Sequence, residues 1–192
     1  MHPPALFLAS TSPRRRELLL QLGLTFSVLR VDVDESAKVG ERPTEYVLRL
    51  AREKALAGLA QITAGVIVAA DTSVVIDDDV LGKPASEEEA VAMWQRLSGR
   101  THQVLTGVAV GDASHIESIV VSTRVHFRAI TPSEMHAYWQ SGEPSDKAGG
   151  YAIQGRGAVF VDAIEGSYSN VVGLPLAETA ALLRQADYPL WL

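Results

Sequence analysis

The chain has no cysteine among its 192 residues. This absence excludes disulfides, cysteine-ligated zinc sites and thiol nucleophiles. No apolar run reaches the roughly 18 residues that a membrane-spanning helix requires, so we expect no membrane partner. The first residues, Met1-His2-Pro3-Pro4, lack the charged and apolar regions of a secretion leader. A cytoplasmic location is therefore predicted.

Several familiar functional motifs are also missing. Neither Gly-x-x-x-x-Gly-Lys nor Gly-x-Gly-x-x-Gly occurs, the histidines have no metal-ligand spacing, and no serine lies in a nucleophile elbow. The net charge of −6 argues against stable nucleic-acid binding, which needs a basic face. The arginines and lysines nevertheless concentrate in the first third of the chain, which fits a small anionic ligand.

The apolar pattern predicts the fold class. Strand-like and helix-like segments alternate, with both hairpins and crossovers, which is typical of an α/β fold with a mixed, twisted sheet. We expect one domain over residues 1–192, with strands at 26–33 and 66–70 and a long helix at 44–61. A polar loop is expected over 166–173.

An unusual helix start follows the first predicted strand. Ser12 is a good N-cap and Pro13 suits the first helical position. Arg14, Arg15 and Arg16 then add positive charge to a helix end that is already electropositive. Such an end suits a phosphate chain, and a basic turn in solvent is the alternative. Arg16 lies furthest from the apolar face and is predicted to contact solvent.

Two acidic positions are candidates for catalysis or metal binding. Asp71 directly follows the predicted buried strand at 66–70, and Glu35 follows the end of the strand at 26–33. Ligands of α/β proteins collect at strand ends, where a carboxylate can accept a proton or bind a cation. Mg²⁺ takes one or two carboxylates together with substrate oxygens. A turn-capping Asp71 and a solvated Glu35 are the alternatives.

Lys54 lies within the apolar face of the helix predicted at 44–61, beside Leu50. Arg49 and Glu53 are expected to point outward as solvated charges. An inward lysine must pair, reach water along its stem, or line a cavity. Lining a phosphate-binding cleft is the functional interpretation.

Two further segments carry candidate ligand contacts. Lys83 lies in a tight turn, and a glycine-rich loop at 142–157 carries Lys147, Tyr151 and Gln154. Glycines allow close backbone approach, Tyr151 could pack on a planar base, and Gln154 could hydrogen-bond a base edge. A flexible surface loop is the alternative. Taken together, the residues favour a metal-assisted hydrolase of a phosphate compound.

Six segments, in this order, resemble the Maf family of nucleoside triphosphate pyrophosphatases. They are LASTSPRR at 8–15, AREKA at 51–55, ADT at 70–72, GKP at 82–84, LSG at 97–99 and DKAGGY at 146–151. Thr72, Gln154 and the segment 166–175 are similar to the subgroup that hydrolyses dTTP and UTP. The resemblance covers nearly the whole chain, from Leu6 to Leu183.

The resemblance implies a reaction, a fold and an assembly. Asp71 would accept a proton from the water that attacks the α-phosphorus, and Arg14, Thr72 and Gln154 would tune base choice. Two lobes would flank a central cleft in a Maf/ITPase-like fold, and the chain would form a homodimer. A divalent cation, Mg²⁺ or Mn²⁺, would bind Glu35 and Asp71. The expected contacts with the nucleoside triphosphate are Ser10, Arg14, Arg15, Lys54, Thr72, Lys83, Lys147 and Gln154.

Two other functions remain open at the level of sequence. One is a pyrophosphatase for 7-methylguanosine triphosphate or other modified nucleotides, which Thr72 and Gln154 disfavour through the resemblance. The other is a nucleotide-binding regulator of cell division with little catalysis. A pure sensor needs no water-activating carboxylate, so Asp71 and Glu35 disfavour it.

Overall fold

A computed structural model describes residues 3–191 of the chain. Met1 and His2, on which part of the expectation about a leader rests, lie outside this range. Seven strands within it form a mixed sheet flanked by helices, which confirms the predicted α/β class. None of the helices in this range is both long enough and apolar enough to span a bilayer.

The elements of regular structure are as follows. The strands are β1 (Leu6–Leu8), β2 (Ser27–Val28), β3 (Val66–Ile76), β4 (Asp79–Leu81), β5 (Thr101–Gly111), β6 (Ile116–Phe127) and β7 (Val161–Glu165). The helices are α1 (Pro13–Gln21), α2 (Pro43–Leu59), α3 (Glu87–Leu97), α4 (Pro132–Gln140), α5 (Tyr168–Val172) and α6 (Leu176–Gln185). Three short 3₁₀ segments lie at Glu143–Asp146, Ala148–Gly150 and Arg156–Phe160.

The strand order is β2-β1-β3-β5-β6-β7, and β4 pairs with β3 beside this path. β1 runs parallel to both β2 and β3, whereas β4 and β7 pair antiparallel with β3 and β6. The described chain divides into two compact units. The first comprises residues 3–71, 106–121 and 173–191, and the second comprises 72–105 and 122–172. The division falls within β3, β5 and β6.

Small residues hold α2 against the strands of the first unit. Ala51 and Ala55 of α2 are fully buried in one cluster with alanines of the neighbouring strands. A Cβ atom added to Gly107 of β5 would lie 2.2 Å from the Val47 carbonyl oxygen, and one added to Gly58 would lie 2.7 Å from Ile67 Cδ1. The helix backbone therefore approaches the strands more closely than any larger residue would permit.

An aromatic cluster forms much of the core of the second unit. Trp94 of α3 is fully buried, and its indole N–H donates to the Gly150 carbonyl at 3.1 Å. Tyr151 is also buried: its ring packs edge-on against Phe127, and its hydroxyl hydrogen-bonds His102 Nε2 at 2.7 Å. The prediction that Tyr151 packs on a nucleotide base is therefore wrong, because its ring is committed to the core.

The strand predicted at 26–33 is much shorter in the structure. β2 has two residues, and the last contact of this segment with β1 is the bond from the Leu29 N–H to the Leu8 carbonyl at 2.9 Å. Since β1 ends at Leu8, the ladder has no partner beyond that point. Glu35 consequently lies on an irregular loop and not at the end of a strand.

β3, in contrast, does not stop at residue 70. It runs through Asp71 to Ile76, so the prediction that Asp71 follows the strand is wrong. Aspartate is disfavoured within strands. Here the carboxylate accepts a hydrogen bond from Lys54 at 2.7 Å, which satisfies it in a buried position.

The polar loop expected over 166–173 contains the short helix α5. Its Asn170 is fully buried, and the side-chain amide donates at 3.0 Å to both the Val104 carbonyl and Thr123 Oγ1. These contacts with strands that are distant in the chain fix the segment, and the sequence of the segment alone does not predict them.

Candidate active site

Lys54, Asp71 and Glu35 meet in the first unit. The Lys54 ammonium lies 2.7 Å from Asp71 Oδ1 and 2.6 Å from Glu35 Oε1. The side chains of Lys54 and Asp71 are each 11% exposed, whereas that of Glu35 is 55% exposed. The inward orientation predicted for Lys54 is confirmed. We call Glu35 and Asp71 the carboxylate pair, since both bind the same ammonium.

The loop that carries Glu35 is fastened to α2. The Tyr46 hydroxyl donates to the Glu35 carbonyl at 2.8 Å, and Arg49 Nη2 donates to the Ser36 carbonyl at 3.0 Å. Arg49 Nε also donates to Glu41 Oε1 at 2.5 Å. We call Tyr46, Arg49 and Glu41 the loop clamp. It compensates for the absence of strand pairing around Glu35.

Arg49 was expected in solvent, and this prediction is wrong. Its side chain is only 14% exposed, and it also binds Glu53 at 3.1 Å. Hydrogen bonds from Arg49 and the Lys38 N–H lower the pKa of Glu41 to about 2. Helical periodicity identifies only the face that contacts the core. It does not detect a loop that folds back over the opposite face and covers a charged residue.

The arginine-bearing helix start forms as predicted. Ser12 caps α1 by accepting from the Arg15 N–H at 3.4 Å. The buried Ser10 hydroxyl accepts from the Ser12 N–H at 3.2 Å and from Arg15 Nη1 at 3.4 Å. Arg15 Nε donates to the Gly173 carbonyl at 2.9 Å, which fixes the guanidinium. Arg16 is exposed, as predicted.

Arg15 lies within the electrostatic influence of the carboxylate pair. Burial lowers the pKa of its guanidinium, Asp71 opposes that shift, Arg14 reinforces it and Glu35 opposes it. Arginine remains charged even so, because its ordinary pKa is so high. The first unit thus brings together six of the predicted site residues: Ser10, Arg14, Arg15, Glu35, Lys54 and Asp71.

The other four predicted contacts belong to the second unit. Thr72 is half-buried in β3, and Lys83 and Gln154 are exposed. A hydrogen bond from the Gly149 N–H to the Gly82 carbonyl at 2.9 Å joins the turn of Lys83 to the glycine-rich loop. Lys83, Lys147 and Gln154 are predicted to contact one ligand, and this hydrogen bond joins the backbones of the two segments that carry them.

Within the glycine-rich loop, Lys147 pairs with Asp146 and donates to the Glu143 carbonyl at 3.1 Å. Its side chain is 14% exposed. Lys147 is therefore held by its own loop. Its contact with substrate stays a prediction.

Glu143 organises the glycine-rich loop, a role the sequence did not reveal. Its carboxylate accepts from the Tyr138 hydroxyl at 2.7 Å and from the N–H groups of Arg156 and Gly157 at 2.9 and 3.1 Å. Burial opposes ionisation, but these hydrogen bonds outweigh it and lower the pKa of Glu143. The backbone just after Gln154 is therefore held by a charged anchor. The sequence signal that could have revealed this role is an acidic residue at the start of a glycine-rich loop.

The donor set fits a divalent cation shared with a substrate. Between residues 3 and 191, no three histidine, aspartate or glutamate side chains are arranged to bind a metal by themselves. The carboxylate pair supplies two oxygen donors directed at one position. Magnesium commonly binds one or two carboxylates and completes its shell with phosphate oxygens and water.

Comparison with known proteins gives a consistent result. Residues 5–186 match the sequence model of a family described as "Maf-like protein". The dTTP/UTP pyrophosphatase of Myxococcus xanthus (strain DK1622) is 56% identical over 185 residues, covering 96% of this chain and 94% of that protein. The dTTP/UTP pyrophosphatase of Pseudoalteromonas translucida (strain TAC 125) is 54% identical over 181 residues, with 94% and 96% covered. The dTTP/UTP pyrophosphatase of Anaeromyxobacter dehalogenans (strain 2CP-C) is 54% identical over 191 residues, with 97% and 96% covered.

Proposed function

Because the chain belongs to the Maf-like protein family, we propose that it is a pyrophosphatase that hydrolyses dTTP and UTP to the nucleoside monophosphate and pyrophosphate. The observation that carries this proposal is a sequence identity of 56% and 54%, over nearly the full length, to two relatives that are named for this activity. The contacts of Asp71 with Lys54 and of Arg15 with the α1 start supply a chemical rationale.

In the proposed reaction, Asp71 accepts a proton from a water molecule. The water oxygen bonds to the α-phosphorus as the bond from that phosphorus to the bridging oxygen breaks. Pyrophosphate leaves with the bonding electron pair. Asp71 suits this role because it lies within β3, which holds its backbone, and because only its Oδ1 is assigned to the charged partner beside it; we assign Oδ2 to the water.

The cationic side chains offset the charge of the triphosphate. We assign Arg14, Arg15 and Lys54 to this role in the first unit, together with Lys83 and Lys147 from the second. Negative charge accumulates on the leaving pyrophosphate, so these cations stabilise the transition state more than the bound substrate. Ser10 contributes by holding Arg15 and the α1 start.

Glu35 and Asp71 would hold a divalent cation, Mg²⁺ or Mn²⁺, which would polarise the phosphate oxygens when bound. For base choice we assign Arg14, Thr72 and Gln154, on the strength of the family resemblance. The fixed backbone beside Gln154, anchored by Glu143, suits hydrogen-bond recognition of a base edge.

A nucleotide panel with Mg²⁺ or Mn²⁺ tests the function, with pyrophosphate and orthophosphate measured separately. We expect pyrophosphate from dTTP and UTP and lower turnover of 7-methylguanosine triphosphate. Because general base catalysis contributes about 100- to 10,000-fold, Asp71→Asn should lower kcat by at least about 100-fold.

The matched control is Asp162→Asn, which removes an exposed carboxylate from β7 and should leave turnover unchanged. Circular dichroism would establish that both variants are folded. Release of orthophosphate from the triphosphate, or full activity of Asp71→Asn, would refute the mechanism. Preferential turnover of 7-methylguanosine triphosphate would instead reassign the substrate.

Assembly and location complete the proposal. We expect a homodimer from the family resemblance and a cytoplasmic enzyme from its cysteine-free composition. Sedimentation of the purified protein and fractionation of cells measure the two properties directly. The acidic net charge of −6 supports a small-molecule substrate over a nucleic-acid partner.

A further inference from the structure

We propose that Lys54 is the resident counterion of the carboxylate pair, so that the enzyme takes up its divalent cation as a cation–triphosphate complex and binds the bare cation poorly. This inference rests on the proposed function and concerns the form in which the substrate enters. Lys54 would thereby determine the substrate class, in addition to contacting phosphate.

Lys54 contacts both members of the carboxylate pair at once. One ammonium nitrogen binds both carboxylates, at 2.6 Å from Glu35 and 2.7 Å from Asp71. Both distances are those of charge-assisted hydrogen bonds. A cation that binds the same two oxygens must displace the ammonium. The lysine is thus a competitor that is covalently attached to the site and always present.

The charged groups around Lys54 compensate one another. Glu35 and Asp71 contribute two negative charges, and Lys54 and Arg15 contribute two positive ones, with Arg14 adding a third beside Arg15. A bare dication would add two positive charges to a site that is already compensated. A free triphosphate would meet two carboxylates at the same place. A cation–triphosphate complex, with net negative charge, satisfies both sets of groups.

The pair formed by Lys54 and Asp71 is largely buried. Lys54 and Asp71 are each 11% exposed, so their attraction is screened less by water and salt than that of a surface pair. The displaced ammonium also needs a new anionic partner, because leaving a buried charge unpaired is costly. Phosphate oxygens provide that partner only when the nucleotide arrives. Cation binding and nucleotide binding are therefore coupled through Lys54.

Binding of Mn²⁺ to the nucleotide-free protein tests this inference, with free Mn²⁺ measured by electron paramagnetic resonance. Lys54→Met removes the competing charge and keeps an apolar stem of similar length. We expect this variant to bind Mn²⁺ at least about tenfold more tightly than the wild-type protein, although it should be a poorer enzyme. The matched control, Arg52→Met, removes an exposed cation from the same helix and should leave Mn²⁺ affinity unchanged.

Two further measurements identify the cause. The double variant Lys54→Met, Asp71→Asn should lose the tighter binding, because one of the two carboxylates is gone. Removing one member of a buried pair can destabilise a protein, so the wild-type protein provides a second test. When a nonhydrolysable α,β-methylene analogue of UTP is added, the protein's Mn²⁺ affinity should rise at least about tenfold and should exceed the Mn²⁺ affinity of the analogue alone.

Equal or weaker Mn²⁺ binding by a folded Lys54→Met variant would overturn the counterion role. Tight Mn²⁺ binding by the wild-type protein without nucleotide would overturn it as well. The nucleotide panel keeps this result separate from the proposed function. Hydrolysis of dTTP by a wild-type enzyme that fails these tests would leave the function intact, whereas tighter binding by Lys54→Met in a protein that hydrolyses no nucleotide would refute the function alone.

Discussion

The imidazole of His102 is 2% exposed and lies between the rings of Phe127 and Tyr151. Its Nε2 hydrogen-bonds the Tyr151 hydroxyl, while Nδ1 has no hydrogen-bond partner among residues 3–191. Burial, with a smaller contribution from His126, lowers the pKa of His102 to about 4. The histidine is therefore neutral in the folded protein at neutral pH. A charge there would be buried without compensation.

This residue predicts an acid-sensitive fold. Because the unfolded chain binds a proton at His102 near pH 6.5 and the folded protein only near pH 4, the stabilising contribution is complete above pH 6.5. It should fall by about 3 kcal/mol as the pH decreases from 6.5 to 4. Urea unfolding at pH 7.5 and pH 4.5 measures the loss.

His102→Gln keeps a polar partner for Tyr151 but cannot take up a proton, so its unfolding free energy should change less between these two pH values. His115→Gln, at an exposed hairpin position, is the matched control and should behave as the wild-type protein. An identical pH dependence in wild type and His102→Gln would show that another group is responsible.

For single residues, the sequence predicted burial correctly where neighbours along the same helix determine it. It failed where residues distant in the chain determine it. Lys54 could be assigned an inward position because its neighbours on the helix are apolar. Arg49 could not, because the loop that covers it begins outside the helix. Tyr151 was misassigned because a glycine-rich loop suggests exposure, whereas contacts with His102 and Phe127 place it in the core.

Among the elements, the loop clamp most directly affects the proposed chemistry. Glu35 has no strand neighbours, and Tyr46 and Arg49 hold the backbone carbonyls of Glu35 and Ser36. We expect Arg49→Met to release this loop and weaken binding of the cation–triphosphate complex. The Mn²⁺ concentration for half-maximal rate should rise by about tenfold, since a ligand-orienting partner is typically worth 10- to 100-fold in metal affinity.

Hydrogen exchange of residues 34–41 should accelerate in Arg49→Met, and kcat at saturating Mn²⁺ should change less than the half-maximal concentration. Arg52→Met again serves as the control, because it removes a cation from α2 without contacting this loop. Unchanged exchange together with an unchanged Mn²⁺ requirement would show that the clamp does not position Glu35.

The errors at the level of elements have a common origin. The strand predicted at 26–33 has suitable residues, but β1 offers partners only as far as Leu8. The continuation of β3 through Asp71 depends on a lysine 17 residues earlier in the chain. Strand length is decided by pairing and tertiary contacts, which a single sequence does not display. The start of α1 was predictable because Ser12 caps it locally, and Ser86 and Thr131 cap α3 and α4 in the same way.

For the whole molecule, the two compact units are not separate lengths of chain. β3, β5 and β6 each continue from one unit into the other, so no single cut separates them. We therefore expect one cooperative unfolding transition, in agreement with the prediction of a single domain over 1–192.

Urea unfolding followed by two probes tests this expectation. One probe is tryptophan fluorescence, and two of the three tryptophans, Trp94 and Trp139, belong to the second unit, whereas far-ultraviolet circular dichroism reports helices of both units. The two curves should coincide. Separate midpoints for the two probes would show that the units unfold independently, and the chain would then have two domains.

The close spacing between α2 and its strands requires glycine at positions 58 and 107, because a Cβ atom at either position would clash with the facing element. Lys54 belongs to this helix and Asp71 to β3. The close approach that these glycines permit therefore also affects the distance between the Lys54 ammonium and the Asp71 carboxylate. The identity of these two residues therefore matters to the candidate site, although neither carries a functional group. At Gly107, a single added carbon would clash with the Val47 carbonyl of α2. It would thereby disturb the position of Lys54 without contacting the candidate site itself.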